Sequence, residues 1–458
     1  MKAPAGLKVS YSGIRGIYPL SLTPKVAYGF GKAFVELLSK KFKNPLILVG
    51  RDTRDSGEEL ENAMISGILS APCCIQSLGI VATPTIQQAL SDFSAHGGVI
   101  ITASHNPPEW NGFKFFKAPN YTVLSPLEMK KLFELYQILD SHVKLSLPVL
   151  PYQSNSHRAI NLHLEKVLAY VDVDLIRDQH FVVELDSAGG TGELLGSRLL
   201  EKLGCEVEIL RSGRSSEPIP QNLTQLCEVV KNRRADLGLA QDLDADRLAV
   251  VSEQGIAVGE EYTLALVVRH LLEKFKTQHP VVVKNSSTSH LINYLVEQFG
   301  AQMVETKVGE INLSLALKKY LDERRLAFGG EGNGGVIFPP ISLGRDSFIG
   351  MAFILEYLAL RKKPVSELIA EFPPFHQAKI KIPLKLGENP EQYFKQLIKA
   401  FPEVEKNTID GLKLIFSNDT WLSLRSSNTE PIMRLTAESP TPMNAQALLK
   451  KAGKILGV

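Results

Sequence analysis

The chain has 458 residues, and 51 Lys and Arg stand against 49 Asp and Glu, a formal net charge of +2. That length predicts several domains, and 44% hydrophobic residues supply a core for each. The charge balance argues against a dedicated nucleic-acid binder, 34 glycines and 26 prolines against a collagen-like or low-complexity chain, and the lack of a long apolar run against a membrane span. Cys73, Cys74, Cys205 and Cys227 form no CxxC pair, and the opening MKAPAGLKVSYSGIRG has no leader-like apolar stretch. Both features predict a cytoplasmic protein without a disulfide framework or zinc site.

Leu46 to Val49 reads as a buried strand that turns at Gly50-Arg51-Asp52. Asp55 and Ser56 are candidate caps for a helix over 57–70, and Val99 to Thr102 is a second strand entering a polar loop. Phe181 to Leu185 opens another strand, which ends at Asp186 before a Gly-rich turn and a helix over 193–203. A third block starts at Val281 to Val283, with a helix over 289–298. The alternation predicts α/β layers with mainly parallel strands, and the three similar blocks hint at an internal repeat. Breaks near 146–156, 253–255 and 372–375 divide the chain into expected domains 1–150, 151–254, 255–372 and 373–458. In the last of these, strands come first (KIKIPL, LKLIF, WLSLR, IMRLTAE), with helices over 390–400 and at the end, an α+β pattern.

Four constellations carry chemistry. Thr102-Ala103-Ser104-His105-Asn106-Pro107-Pro108 follows a strand end, where ligand loops of α/β sheets sit, and continues into Trp110-Asn111-Gly112-Phe113-Lys114. It reads as a nucleophile loop, or as a polar turn bonded to its own backbone. Asp242-Leu243-Asp244-Ala245-Asp246-Arg247 lies between two apolar runs. On extended chain its three carboxylates share one side, a fit for Mg²⁺; a solvated acidic turn is the alternative. Gly329-Gly330-Glu331-Gly332-Asn333-Gly334-Gly335 offers a carboxylate and an amide to sugar hydroxyls, or is a hairpin turn. Arg425-Ser426-Ser427-Asn428-Thr429-Glu430-Pro431, with Arg434 nearby, makes a phosphate cradle or a polar inter-strand loop. Gly190-Thr191-Gly192 and Gly196 approximate a dinucleotide fingerprint but are spaced one residue too long, so they read as a strand-to-helix turn.

Taken together and in this order, the four motifs resemble those of the α-D-phosphohexomutase superfamily, which includes phosphoglucomutases, phosphomannomutases and phosphoglucosamine mutases. Ser12-Gly13-Ile14-Arg15-Gly16 and Gly50-Arg51-Asp52-Thr53-Arg54 also match family patterns. The resemblance covers essentially the whole chain. It implies four domains around a central cleft: three similar α/β mixed-sheet domains, then a smaller α+β C-terminal domain. It implies that Ser104 is a phosphoserine and a ligand of one Mg²⁺, with Asp242, Asp244 and Asp246 the other ligands. Arg247 would orient the phosphoryl group. His105, Lys114 and Arg15 match positions close to the transferring phosphate. Glu331 and Asn333 match a sugar-binding pair, with Asn in place of Ser. Arg425, Ser427, Asn428 and Thr429 match the loop that holds the non-reacting phosphate.

The implied reaction interconverts hexose 1-phosphate and hexose 6-phosphate through a 1,6-bisphosphate, which also serves as activator. Its partners would be small sugar phosphates, with no nucleic acid and no membrane. Lys307 and Glu310, in Thr306-Lys307-Val308-Gly309-Glu310, align with a loop that touches the sugar. Glu310 resembles phosphoglucosamine mutases and would pair with a 2-ammonium group, or it caps the next helix. GEGNGG departs from the bacterial phosphoglucosamine mutase pattern GEQSGH, and SYSGIRG from FGTDGVRG. The expected activity is phosphoglucosamine mutase, with phosphomannomutase/phosphoglucomutase as the alternative and an Mg²⁺-dependent phosphatase or a bisphosphate synthase further off.

Overall fold

The computed structural model describes residues 6–10, 12–139, 154–210, 217–384, 388–427 and 432–457. Four β-sheets follow one another along these residues. The first runs Lys8–Ser10, Gly13–Ile17, Trp110–Lys117, Gly97–Ile101, Leu46–Arg51, Cys74–Ile80, with Thr122–Val123 paired to Trp110–Lys117. The second runs Leu248–Ser252, Leu237–Gln241, Val182–Asp186, Glu206–Leu210, and the third Gln302–Thr306, Val281–Asn285, Ala327–Glu331, Gly335–Ile337. The last, His376–Pro383, Ile432–Ser439, Thr420–Ser426, Leu412–Ser417, Glu405–Asn407, is wholly antiparallel.

The first three sheets are mixed, as expected; the second and third are mainly parallel, and the first adds further antiparallel strands. Each has three parallel strands, and in each the chain then turns back into an antiparallel neighbour: Gly97–Ile101 to Trp110–Lys117, Leu237–Gln241 to Leu248–Ser252, and Ala327–Glu331 to Gly335–Ile337. The repeat hinted at in the sequence is thus one of topology. In the last sheet, Thr420–Ser426 and Ile432–Ser439 form the corresponding antiparallel pair.

Helices cover the sheet faces. Pro24–Ser39 starts at the Thr23 cap, whose hydroxyl accepts from Val26 N, with Pro in the first turn, where its missing N–H costs nothing. It buries Phe30 and Phe34, and Phe30 stacks on Tyr136 at 4.0 Å. Its neighbour Gly57–Ile68 crosses it at backbone contact: a Cβ on Gly67 would lie 2.0 Å from Tyr28 O. This helix is shorter than the expected 57–70. Ser56 occupies the cap position without capping, because its hydroxyl instead accepts from Asn111 Nδ2 at 2.9 Å. Ser156, expected in a linker, opens the helix Ser156–Leu168, while 146–153 lie outside the described residues. One apolar cluster runs unbroken from Ile160 and Leu185 beside the second sheet to Phe328, Phe353 and Phe372 beside the third. The first and last sheets have their own cores around Phe34 and Leu422.

The third and fourth sheets meet through polar groups. Glu438, fully buried, accepts from Trp421 Nε1 (2.6 Å), His290 N (2.8 Å) and Gln377 Nε2 (3.0 Å). Lys413 Nζ donates to Ser286 O at 3.0 Å, and Asn407 Nδ2 to Glu305 Oε1 at 3.0 Å. Beneath this joint Glu261 accepts from Ser289 N at 2.9 Å. Burial pushes its carboxyl up to about 8 against the attraction of Lys379, with Glu438 adding to the rise. A carboxyl raised from 4.5 gives its full stability below that pH and loses it as pH rises through about 8. Glu261→Gln, which cannot ionise, should match wild type in melting temperature near pH 4. Its advantage should grow steadily towards pH 8; a constant offset across that range would contradict the assignment.

Candidate active site

The serine loop joins Gly97–Ile101 to Trp110–Lys117. Ser104 sits at φ 52°, a left-handed conformation that costs a non-glycine residue about 1–2 kcal/mol. The surroundings enforce it. Ser104 N donates to Thr102 Oγ1 at 2.9 Å, and the buried Arg54 guanidinium donates to four loop carbonyls: Ser104 O, Asn106 O and Pro107 O at 2.7 Å each and Trp110 O at 2.9 Å. Asp52 balances the Arg54 charge. So held, the Ser104 hydroxyl donates to Asp242 Oδ2 at 2.8 Å, across 138 residues of sequence.

Asp242 to Arg247 link Leu237–Gln241 to Leu248–Ser252. The segment is a turn, with Ala245 at φ 56°, and not the extended chain that the i, i+2, i+4 spacing suggested. The turn itself brings the three carboxylates together, with ligand atoms within 4.8 Å of one another. Asp242 Oδ1 accepts from Asp246 N and Arg247 N, both at 3.2 Å, and Leu243 O accepts from Thr191 N at 2.9 Å. The Gly-rich turn at 190–192 is therefore a buttress of this loop, where a Cβ on Gly190 would lie 2.4 Å from Leu243 O.

Three fully buried carboxylates in contact require cations. Lys114 Nζ reaches Asp244 Oδ2 (2.7 Å) and Asp246 Oδ2 (2.9 Å), and Arg345 Nη2 reaches Asp246 Oδ2 (2.6 Å). Burial alone would lower the Lys114 ammonium, but Asp244 and Asp246 outweigh it and hold the group above its ordinary value. Asp244 and Asp246 are in turn held low despite burial, by Lys114 and Arg345 respectively. Asp242 is pushed well up, by burial first and then by Asp246 and Asp244. Asp244 Oδ1 and Asp246 Oδ1 are buried without a hydrogen-bond partner. Hard oxygen atoms left unsatisfied in this way fit a small divalent cation, held by Ser104 Oγ and the three aspartates.

Arg15 lies on Gly13–Ile17, which pairs with the strand bearing Lys114, and donates to Asn106 Oδ1 at 2.6 Å. Arg247 donates to His105 Nδ1 at 3.1 Å and to Glu217 Oε1 at 2.6 Å. Burial, followed by Arg247 and Arg15, lowers His105 to about 2, so its ring is neutral at ordinary pH. These side chains form one wall of a cleft of about 510 Å³. Glu310, Glu331 and Asn333 line it from the third sheet, and Arg425, Ser427, Lys381 and Arg434 from the last. Asn428 and Thr429 lie outside the described residues.

The turn after Gln302–Thr306 presents Val308, Gly309 and Glu310 to the cleft; Lys307, expected with them, is exposed and is not among the lining residues. Glu310 does open the helix Glu310–Asp322, yet its carboxylate accepts from Arg345 Nε at 3.2 Å. Glu331 ends a strand, and its Oε2 accepts from Arg345 Nη1 at 2.9 Å. Sequence reasoning missed Arg54, Lys381, Glu217 and Arg345. Arg54 stood in the noted GRDTR segment, and Arg345 in SLGRDS, a charged pair entering an apolar helix.

A cationic cleft backed by a buried serine that bonds to a buried acid triad is the arrangement of an enzyme of phosphoryl transfer. Family models for phosphoglucomutase/phosphomannomutase match throughout: alpha/beta/alpha domain I over 6–140, domain II over 161–255, domain III over 260–375 and the C-terminal domain over 384–452. A phosphoglucomutase/phosphomannomutase of Thermococcus kodakarensis is 36% identical, covering 97% of each chain. A probable phosphoglucosamine mutase of Methanopyrus kandleri is 34% identical over 95% of each. The crystal structure of a putative phosphomannomutase from Thermus thermophilus shares the fold, with TM-score 0.82, 24% identity and coverage of 99% of this chain and 100% of that one. The chain belongs to the phosphoglucomutase/phosphomannomutase family of the α-D-phosphohexomutase superfamily, and it is an isomerase.

Because a cation competes with protons for the three carboxylates, metal affinity should rise with pH. Electron paramagnetic resonance of Mn²⁺ checks this on the protein without substrate. Asp242→Asn should weaken binding by about ten-fold or more and flatten the pH dependence; an unchanged titration would remove the triad as the metal site.

Proposed function

We propose that the enzyme interconverts hexose 1-phosphate and hexose 6-phosphate, with glucosamine phosphates as its preferred substrates and Ser104 as the group that carries the phosphoryl. The observation that carries this reading is the Ser104 hydroxyl, fixed by a strained turn against Asp242 beside His105 and Asn106, which line one side of a cleft whose other side presents Arg425, Ser427, Lys381 and Arg434. One side suits the reacting phosphate and the other the spectator phosphate.

In the first transfer, the P–O bond of phosphorylated Ser104 breaks and a new P–O bond forms to the free hydroxyl oxygen of the sugar phosphate. The proton of that hydroxyl ends on the departing Ser104 Oγ, which regenerates the serine hydroxyl. The bisphosphate then turns over within the cleft. Its other phosphoryl group returns to Ser104 Oγ, and the released sugar oxygen takes up a proton. Mg²⁺ at Ser104, Asp242, Asp244 and Asp246 supplies charge neutralisation when bound. Arg15, Lys114 and Arg247 surround the phosphoryl group with positive charge, which a phosphoserine of about −1.5 to −2 charges needs. His105, kept neutral, accepts from Arg247 and orients its fork. A trace of hexose 1,6-bisphosphate primes Ser104. The four cysteines are free, consistent with a cytoplasmic setting among soluble sugar phosphates.

Glu310 on the cleft wall, a partner for a 2-ammonium group, and the name of the Methanopyrus relative favour glucosamine phosphates. The pairing of Glu310 with Arg345 and the name of the Thermococcus relative favour the phosphomannomutase/phosphoglucomutase reading. A ³¹P NMR time course decides, with Mg²⁺, a trace of glucose 1,6-bisphosphate, and glucosamine, glucose or mannose 1-phosphate in turn. The 6-phosphate should appear fastest from glucosamine 1-phosphate and be absent with Ser104→Ala. Faster conversion of the neutral sugars would establish the second reading, and inorganic phosphate as the sole product would contradict both.

A further inference from the structure

We propose that Arg345 is a positioning residue of this reaction: its guanidinium sets the two cleft carboxylates, Glu310 and Glu331, for the sugar and ties them to the metal loop through Asp246. The inference rests on the phosphohexomutase reading and adds to it a residue from outside the four motifs.

The guanidinium is buried and each of its nitrogens has a different carboxylate: Nη2 on Asp246 (2.6 Å), Nη1 on Glu331 (2.9 Å) and Nε on Glu310 (3.2 Å). Those carboxylates come from a turn of the second sheet, a strand end of the third sheet and the start of a helix. A planar fork can satisfy three such directions at once, whereas an ammonium on a flexible stem cannot. Without it, Asp246 would keep Lys114 at 2.9 Å, while Glu310 and Glu331 would lose the cation they share.

The backbone under Arg345 is fixed as firmly as its head. Asp346 caps the helix Ser347–Arg361 through Phe348 N (2.9 Å) and pairs with His163 Nε2 (2.8 Å). Ser347 donates to Ala245 O at 2.7 Å and accepts from Gln241 Nε2 at 2.6 Å. The stem crosses Gly335, where a Cβ would lie 2.3 Å from Arg345 Cδ and 2.9 Å from Cγ. Gly335 occupies the position of the histidine in the bacterial pattern GEQSGH. In this chain the room such a side chain needs is filled by the Arg345 stem, so the two arrangements exclude each other.

The test uses Arg345→Met and Arg345→Lys in the full-length enzyme, with melting temperature, KM, kcat and calorimetric affinity for the sugar 1-phosphate on a Ser104→Ala background. Methionine keeps the stem over Gly335 and removes the fork. Both variants should raise KM and the calorimetric Kd by about ten-fold or more, lysine failing to rescue; methionine, which leaves three buried carboxylates without their shared cation, should also lower the melting temperature, while lysine, which keeps the charge, should lower it less. In a cycle with Glu310→Gln, the combined rise in KM should fall well short of the product of the single effects. Gly335→Ala, which pushes on the stem and leaves the fork intact, should give the same shift in smaller size. Unchanged KM and Kd in Arg345→Met, full rescue by lysine, or multiplicative effects with Glu310→Gln would overturn the proposal. If the wild type isomerises no hexose phosphate, the functional reading fails, and calorimetry still decides for Arg345.

Discussion

The burial of Asp242, Asp244 and Asp246 in mutual contact is the constraint on which the rest of the structure depends. Two unit charges 4 Å apart repel by about 4 kcal/mol at the effective dielectric of a protein near its surface, so a buried triad cannot stand by itself. Its countercharges are long-range. Lys114 arrives from the first sheet and Arg345 from the segment after the third, while Ser104 and Thr83 add hydroxyl donors from the first. Removing one partner of such a buried pair costs about 3–5 kcal/mol, because the other charge is left unpaired. Electrostatics at the triad thus hold three parts of the chain around one point, and that point is where the phosphoryl group is proposed to transfer.

The fold prepares the site by repetition. In each of the first three sheets, a parallel strand turns back into an antiparallel neighbour, and the turn bears the residues proposed for the chemistry: Ser104, the triad, or Glu331 with Asn333. In the last sheet, Arg425 and Ser427, proposed for the spectator phosphate, lie at the end of Thr420–Ser426, which pairs with Ile432–Ser439. Strand ends are where α/β sheets bind ligands, and the four copies of that position converge on one cleft. The polar joint around Glu438 and Lys413 connects the last sheet to the third. A polar joint of this kind suits the domain movement that the proposed turnover of a bisphosphate requires.

Much of this was legible in the sequence, and the limits have physical causes. The motif loops were visible because their chemistry is local: a serine, three carboxylates or a run of glycines within a few residues. The three α/β blocks and the strand-rich tail followed from hydrophobic runs between turns. The triad's geometry was misread, because the spacing of Asp242, Asp244 and Asp246 fits a strand and only the left-handed Ala245 reveals a turn. The antiparallel returns were expected from the resemblance and not from the hydrophobic pattern, since a hairpin interrupted by a long loop lacks a hairpin's short turn signal. Lys307 drew attention by its charge, but the helix start beside it turns Glu310 to the cleft instead. Arg54 and Arg345 act over separations of 50 and 99 residues, which no local pattern encodes. Their burial and the carbonyls and carboxylates they bridge in the fold supply the signal.

The central claim is that Ser104 carries the phosphoryl group. It is tested most directly by incubating the enzyme with glucose 1,6-bisphosphate and Mg²⁺ and locating phosphate by tandem mass spectrometry of its peptides. The account predicts one phosphate, on Ser104, which is lost again when excess glucosamine 6-phosphate is added. Phosphate on another residue, or a Ser104 phosphate that excess substrate does not remove, would contradict it.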